Sequence, residues 1–185
     1  MKKISLLFLT LSVLYFSASG LAYAKNPASS AALITVSDSK SFPGNDYKAE
    51  TLRKFLKTYN SPLADYAGTF VRQAKAYDID WRMVAAISGV ESTFGEQIPY
   101  GSYNAWGWGI YGNQVTYFKS YSEAIKTISK SLRQDYMDKW GAKNVYAIGR
   151  IYAASPSWAG RVNYFMNRIS EFEQANSIDS LSISL

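Results

Sequence analysis

The stretch that decides the fold is Trp81-Arg82-Met83-Val84-Ala85-Ala86-Ile87-Ser88-Gly89-Val90-Glu91, followed by Ser92-Thr93-Phe94-Gly95. It is apolar nearly all round, where a surface helix would carry one polar face. A helix of this kind belongs in the middle of a fold. Asp80 stands before it as an N-cap, and Gly95 stops it after Phe94. Glu91 lies near the C-terminal end, on the line of Trp81, Val84, Ile87 and Ser88, so its carboxyl is drawn inward. Desolvation there disfavours the ionised form and raises the pKa. The partial negative charge at a helix C-terminus acts in the same direction. The plain alternative is a Glu91 turned to water or paired with Lys or Arg, and helical placement alone leaves both open.

Helical patterns flank this segment on both sides. Tyr47 to Tyr59 puts Leu52, Phe55, Leu56 and Tyr59 on one face. Ser61-Pro62 offers an N-cap and then Pro at a first helical position, opening a helix to about Tyr77. Residues 96–119 break the pattern with Gly101, Gly107, Gly109 and Gly112, giving a loop or a short hairpin. Periodicity resumes from Ser122 to Trp140 through Ala124, Ile125, Ile128, Leu132 and Tyr136. Asn144 caps a helix to Ala154, and Ser157 begins a last one through Val162, Phe165, Ile169 and Phe172. The expected fold is mainly α, a helical domain over residues 46–175 with a Gly/aromatic loop beside the central helix. Residues 25–45 read as a linker with weak strand potential at Leu33 to Val36, and 176–185 as a flexible tail.

Residues 1–24 carry the marks of a secretory signal peptide. Lys2 and Lys3 form a basic start, Ile4 to Phe16 an apolar run, and Ala22-Tyr23-Ala24 a small-x-small cleavage site. An uncleaved anchor is the other reading, but the run is short for a hydrocarbon core of about 30 Å. The expectation is export to the periplasm or the medium, with no stable membrane span after signal removal.

Composition narrows the chemistry. The 185 residues suit one domain, with 48% hydrophobic residues to build a core. There is no His and no Cys. That removes Ser-His-Asp and Cys-His catalysis and most zinc sites. Acid–base work falls to carboxylates, Tyr and Lys. The acids show no ligand-like clustering, so no metal and no cofactor are expected. The net charge is +6, or +4 without Lys2 and Lys3 (18 basic minus 14 acidic residues). A modest positive charge favours anionic surfaces such as cell wall. The 15 Tyr, 9 Phe and 5 Trp exceed what a core of this size requires and suggest a surface that stacks flat ligands.

The stretch Gly101-Ser102-Tyr103-Asn104-Ala105-Trp106-Gly107-Trp108-Gly109-Ile110-Tyr111-Gly112 alternates small and aromatic residues. Glycine lets a backbone approach a ligand closely. Trp and Tyr offer flat faces to sugar rings, and Ser102 and Asn104 can bond hydroxyl and N-acetyl groups. A purely structural aromatic loop is the alternative. The lack of a following Lys-Ser/Thr and of a preceding strand argues against a phosphate cradle. Beyond it, Tyr117, Phe118, Lys119 and Tyr121 could wall a groove or simply lead into the next helix.

Together these motifs resemble the lysozyme-like superfamily of bacterial peptidoglycan hydrolases. Glu91-Ser92-Thr93-Phe94-Gly95 ending a helix, then Asn104 to Gly112, looks like the lytic transglycosylases, with their Glu-Ser-x-Phe helix end. It looks equally like the endo-β-N-acetylglucosaminidases, with Glu-Ser-x-x-Gly and a Phe/Trp-Gly loop. Phe118-Lys119-Ser120-Tyr121-Ser122-Glu123-Ala124-Ile125 is similar to an aromatic helix lead in the second family. Arg150-Ile151-Tyr152-Ala153-Ala154-Ser155-Pro156-Ser157-Trp158 resembles the Tyr-Ala-x-x-Pro-x-Tyr/Trp element there. The resemblance covers roughly residues 60–172. It implies Glu91 as catalytic acid, Tyr152 facing it, and substrate contacts from Ser102, Tyr103, Asn104, Trp106, Trp108 and Tyr111.

The expected function is therefore cleavage of peptidoglycan glycan strands by an exported monomer, at a bond between N-acetylmuramic acid and N-acetylglucosamine. One departure bears on mechanism. Glycoside hydrolases normally use two carboxylates; of Glu96, Glu123, Asp135, Asp138, Glu171, Glu173 and Asp179, which follow Glu91, only Glu96 is close in sequence to the loop, and sequence does not place it at the substrate. A lytic transglycosylase needs one, since the 6-hydroxyl of N-acetylmuramic acid closes onto its own anomeric carbon. Which bond is cut stays open. A non-catalytic wall-binding module is the alternative, and it requires an ionised, dispensable Glu91. A nucleic-acid-binding role is disfavoured, because the Lys and Arg residues are scattered and the loop from 101 to 112 contains none.

Overall fold

A computed structural model describes residues 43–109 and 114–182, with side chains described for 47–109 and 114–176. The expected signal peptide, the linker up to residue 42 with its strand potential, and Tyr111 lie outside the described residues.

The first helix, α1 (Pro43–Lys57), begins a few residues inside the stretch read as linker. It buries Leu52, Phe55 and Leu56 on the face their spacing predicts. Ser61 does cap, but it caps a turn: its Oγ accepts from Leu63 N at 3.0 Å. The chain then makes a 3₁₀ turn (Ala64–Tyr66) before α2 (Ala67–Ala76). Asp80 likewise closes a turn, accepting from Arg82 N at 2.9 Å, so α3 proper spans Met83–Ser92. The next helix, α4 (Tyr121–Ser131), is capped by Ser120, whose Oγ accepts from Glu123 N at 3.2 Å. Asn144 caps α5 (Val145–Tyr152) through Ala147 N at 2.8 Å, as its position in the sequence suggests. The last helix, α6 (Trp158–Ser182), continues past Asn176 through most of the expected tail.

Two departures from regular α geometry lie in this frame. The first is at the end of α4, where Leu132–Lys139 widens into a π-helix. Trp140 N there donates to Asp135 O, five residues back, at 2.9 Å. Periodicity cannot see this, because Leu132 and Tyr136 are buried under either register. The second is the end of α3. Thr93, Phe94 and Gly95 take φ of 52°, 57° and 88° in succession. For a non-glycine residue that conformation costs about 1–2 kcal/mol.

The surrounding contacts offset that cost. Phe94 is fully buried, with ring centroids 4.6 Å from Tyr59, 4.9 Å from Phe165 and 5.7 Å from Phe55. Burying a phenyl ring contributes about 1.5–3 kcal/mol. Ser61 Oγ donates to Phe94 O at 2.6 Å, and Ser92 Oγ accepts from Gly95 N at 2.9 Å. The chain thus leaves α3 in a tight turn that is pinned on both sides.

The expectation of a central α3 holds. It packs against α2, α4 and α6, and every residue from Met83 to Gly89 is buried, as is Ser92. Close approach requires Gly89. A Cβ there would lie 2.6 Å from Cζ of Phe94 and 3.1 Å from Cδ2 of Phe165. Phe94 is fully buried and its ring is the nearer of the two. Gly89→Ala should therefore destabilise the fold by about 1–3 kcal/mol through overpacking, despite alanine's better helix propensity. A thermal melt at or above the wild-type midpoint would refute this packing argument. Among the described residues no helix is long and apolar enough to cross a membrane.

Candidate active site

The last turn of α3 carries Glu91, and Trp158 and Gly107 meet its carboxyl. Trp158, in the first turn of α6, donates from Nε1 to Glu91 Oε1 at 2.6 Å. Gly107 of the loop approaches the other oxygen, so that a Cβ on Gly107 would lie 3.1 Å from Oε2. Gly107 also has φ of +60°, where glycine is the residue without strain. Tyr152 ends α5 and stacks on Trp158, with centroids 4.9 Å apart at 22°. Its hydroxyl donates to Trp106 O at 2.8 Å, one residue before Gly107.

Burial pushes the Glu91 carboxyl above its ordinary pKa. The Trp158 N–H and the positive charge of Arg161, one turn along α6, oppose that push without cancelling it. Burial also raises the Tyr152 phenol well above 10.0, helped by the neighbouring charges of Glu91 and Tyr136. Tyr152 therefore stays a neutral phenol at physiological pH. Replacing Trp158 by Phe keeps a ring against Tyr152 but removes the donor that favours the carboxylate. Trp158→Phe should move the Glu91 titration midpoint upward, as read by carboxyl-carbon NMR. A midpoint that stays or falls would mean that the Trp158 bond does not tune the acid.

The loop is fastened to α3 by its own polar groups. Ser92 Oγ lies 2.8 Å from Ala105 O and 3.1 Å from Ser88 O. Trp106 is fully buried, and its Nε1 donates to Val84 O at 2.9 Å. Asn104 Nδ2 donates to Trp108 O at 2.8 Å and Thr116 O at 3.1 Å, while its Oδ1 accepts from Trp108 N at 3.0 Å and Trp106 N at 3.4 Å. That uses the whole capacity of a side-chain amide. Ser102 is 0% exposed and accepts from Asn104 N at 3.1 Å.

Ser102, Asn104 and Trp106 thus shape the loop from inside and present no surface to a ligand. The physical reason for this burial is backbone demand. An irregular loop crossing a core must satisfy its buried N–H and C=O groups internally. Tyr103 is more open, with its ring 5.1 Å from that of Tyr121 at the far side of the loop.

Trp108 does face a groove. A cavity of about 450 Å³ lies beside Gly107, lined by Trp108 and Tyr152, by Asp135 and Tyr136 of the π-helical segment, and by Trp140 just after it. The rings form a continuous wall. Trp108 lies 6.3 Å from Tyr152 and 6.5 Å from Tyr136, and Tyr136 lies 4.9 Å from Trp140. Ser131 Oγ donates to Asp135 Oδ2 at 2.6 Å. Among the described residues, no group of three acidic side chains could hold a metal ion.

Sequence reasoning brings Glu91, Tyr152 and Trp108 together and misses the other side of the groove. Trp158 is 67 positions from the carboxyl it holds, and no spacing rule links them. The pair Tyr136 and Trp140, four apart on an otherwise polar segment, was the available signal for the far wall.

No protein-family model matches the chain, and no curated protein sequence matches it. Among solved structures it is similar to a catalytic mutant of S. aureus autolysin E in complex with the disaccharide NAG-NAM. The TM-score is 0.53 at 18% sequence identity, over 66% of this chain. The likeness is one of fold. It supports a lysozyme-like helical domain, as the motifs imply, and the chain spans 66% of the length of that relative.

Proposed function

We propose that this protein is an exported enzyme that cleaves the glycan strands of peptidoglycan, with Glu91 as general acid and then general base. The observation that carries the reading is the Glu91 carboxyl itself. It is half-buried, its pKa is raised, it is fixed by Trp158, and it stands against Gly107, which lines an aromatic groove. A carboxylic acid kept protonated near the working pH is what departure of a glycosidic oxygen requires. The likeness to an autolysin bound to NAG-NAM supports the same substrate class, and the N-terminal segment supports export.

In this mechanism a glycan strand lies along the groove with its sugar faces on Trp108, Tyr136 and Trp140. Gly107 lets the strand's backbone come within reach of the acid. Glu91 gives its proton to the bridging oxygen as the bond to the anomeric carbon breaks. The Tyr152 oxygen, neutral and close to Glu91, can lend electron density to the positive charge that develops on the ring. Glu91, now a carboxylate, accepts a proton from the incoming hydroxyl. That hydroxyl belongs either to water or to C6 of the same N-acetylmuramic acid.

The test is mass spectrometry of soluble products released from purified peptidoglycan by the wild-type protein and Glu91→Gln. Anhydro-muramic ends that vanish in the variant identify a lytic transglycosylase. Reducing N-acetylglucosamine ends that vanish identify a glucosaminidase. Retained wall binding with no products from either protein would leave a binding module in place of an enzyme.

A further inference from the structure

The groove has a chemical asymmetry that strand cleavage alone does not explain. The protein as a whole is basic, yet among the described residues lining this cavity none is Lys or Arg and one is an acid, Asp135. Asp135 is half-buried, and the bond from Ser131 anchors its carboxylate to the wall. The π-helical widening places it in the same wall as Tyr136 and Trp140. Such insertions into α-helices are frequent at functional sites.

A carboxylate among aromatic faces is suited to a cation. Rings attract an ammonium through their quadrupole, more strongly when water is partly excluded. A fixed carboxylate adds a charge-assisted hydrogen bond. An acetamide at the same place would gain one ordinary N–H bond and no charge attraction. The cavity, about 450 Å³, is of a size that takes small ligands, and flat ring walls suit a pyranose face.

We infer that this cavity is a subsite for a glucosamine residue whose C2 amine is free, the ammonium donating to Asp135 while the sugar ring lies against Trp108, Tyr136 and Trp140. The inference rests on the glycan-cleaving reading above and refines its substrate to partly N-deacetylated strands.

The experiment is calorimetric binding of tetra-glucosamine and tetra-N-acetylglucosamine to the full protein at mildly acid pH, where the sugar amine is protonated. Wild type should bind the free-amine tetramer more tightly. Asp135→Asn should weaken that tetramer about tenfold and leave the acetylated one within about twofold. Trp140→Ala removes a half-exposed ring and should weaken both tetramers alike. This second variant tests the platform even if Asp135→Asn fails to fold. Equal affinities in wild type, or an Asp135→Asn loss shared by both tetramers, would overturn the subsite.

Cleavage of peptidoglycan, followed in parallel, separates the two ideas. Amine selectivity that depends on Asp135 without any cleavage would support the subsite and defeat the enzyme reading. Cleavage without that selectivity would defeat the subsite alone.

Discussion

Glu91→Gln should abolish release of soluble glycan fragments while leaving the fold intact. The amide is nearly isosteric with the acid, and its oxygen can still accept from Trp158 Nε1, which holds the carboxyl at 2.6 Å. It cannot deliver a proton. A positioned general acid typically contributes about 10²–10⁴-fold in rate, and here the same group also serves as base, so the loss should reach the upper end. Stability should move the other way. Burial raises the Glu91 pKa above its ordinary 4.5, so the folded protein holds a proton that the unfolded chain releases. The stability linked to that proton is fully present below 4.5 and is lost as pH rises through the raised folded value. Glutamine does not titrate. The variant should therefore melt higher than wild type near neutral pH, with the difference shrinking in acid. Thermal melts at both pH values check the sign, and a variant that melts lower at neutral pH would contradict a buried, strained anion. Undiminished fragment release would end the case for Glu91 as the acid.

Gly107→Val should be the most damaging change in the loop. Two effects combine, and Gly101 separates them. Both glycines have positive φ, +60° at Gly107 and +68° at Gly101. A branched side chain at either position should cost about 1–3 kcal/mol in backbone strain. At Gly101 a Cβ meets nothing within 4 Å, whereas at Gly107 it stands 3.1 Å from Glu91 Oε2. Valine there must push the carboxyl aside or lift the loop. Displacement of a reacting group by about 1 Å can cost about a hundredfold. Both variants should melt lower by similar amounts, and only Gly107→Val should lose cleavage by about a hundredfold or more. Equal losses of activity would show that loop strain matters and contact with the acid does not.

Much of this arrangement was legible because the relevant signals are local. The uninterrupted apolar character of Met83 to Ile87 announced a central helix, while helical placement left the carboxyl at its end free to face inward or out. Asn144 and the apolar faces of α1 and α4 gave their elements for the same reason. The end of α3 was less transparent. Gly95 looked like the stop, but Thr93 and Phe94 already turn left-handed, held there by a ring cluster drawn from α1 and α6. Ser61-Pro62 and Asp80 carry true capping chemistry, yet each spends it on a turn ahead of its helix.

The site divides in the same way. Ser102 and Asn104 have the right chemistry for sugar hydroxyls, and sequence cannot tell a side chain that faces outward from one the loop needs for its own amides. Trp158 and the wall carrying Asp135, Tyr136 and Trp140 reach the site only through tertiary packing. The π-helical register that presents that wall has no counterpart in a 3.6-residue pattern.

Several side-chain donors around Glu91 share one trait. Ser92 reaches Ala105 O, Trp106 reaches Val84 O, Tyr152 reaches Trp106 O, Asn104 reaches Trp108 O and Thr116 O, and Ser61 reaches Phe94 O. Each ends on a main-chain oxygen, which every amino acid supplies. A receiving position can therefore change its identity, within the limits of its packing, without breaking the bond it receives. In these bonds only the donor is specified. The blueprint of the site is written in a few letters, and most of the surrounding text is free to drift, which is how two chains can share this architecture at 18% identity.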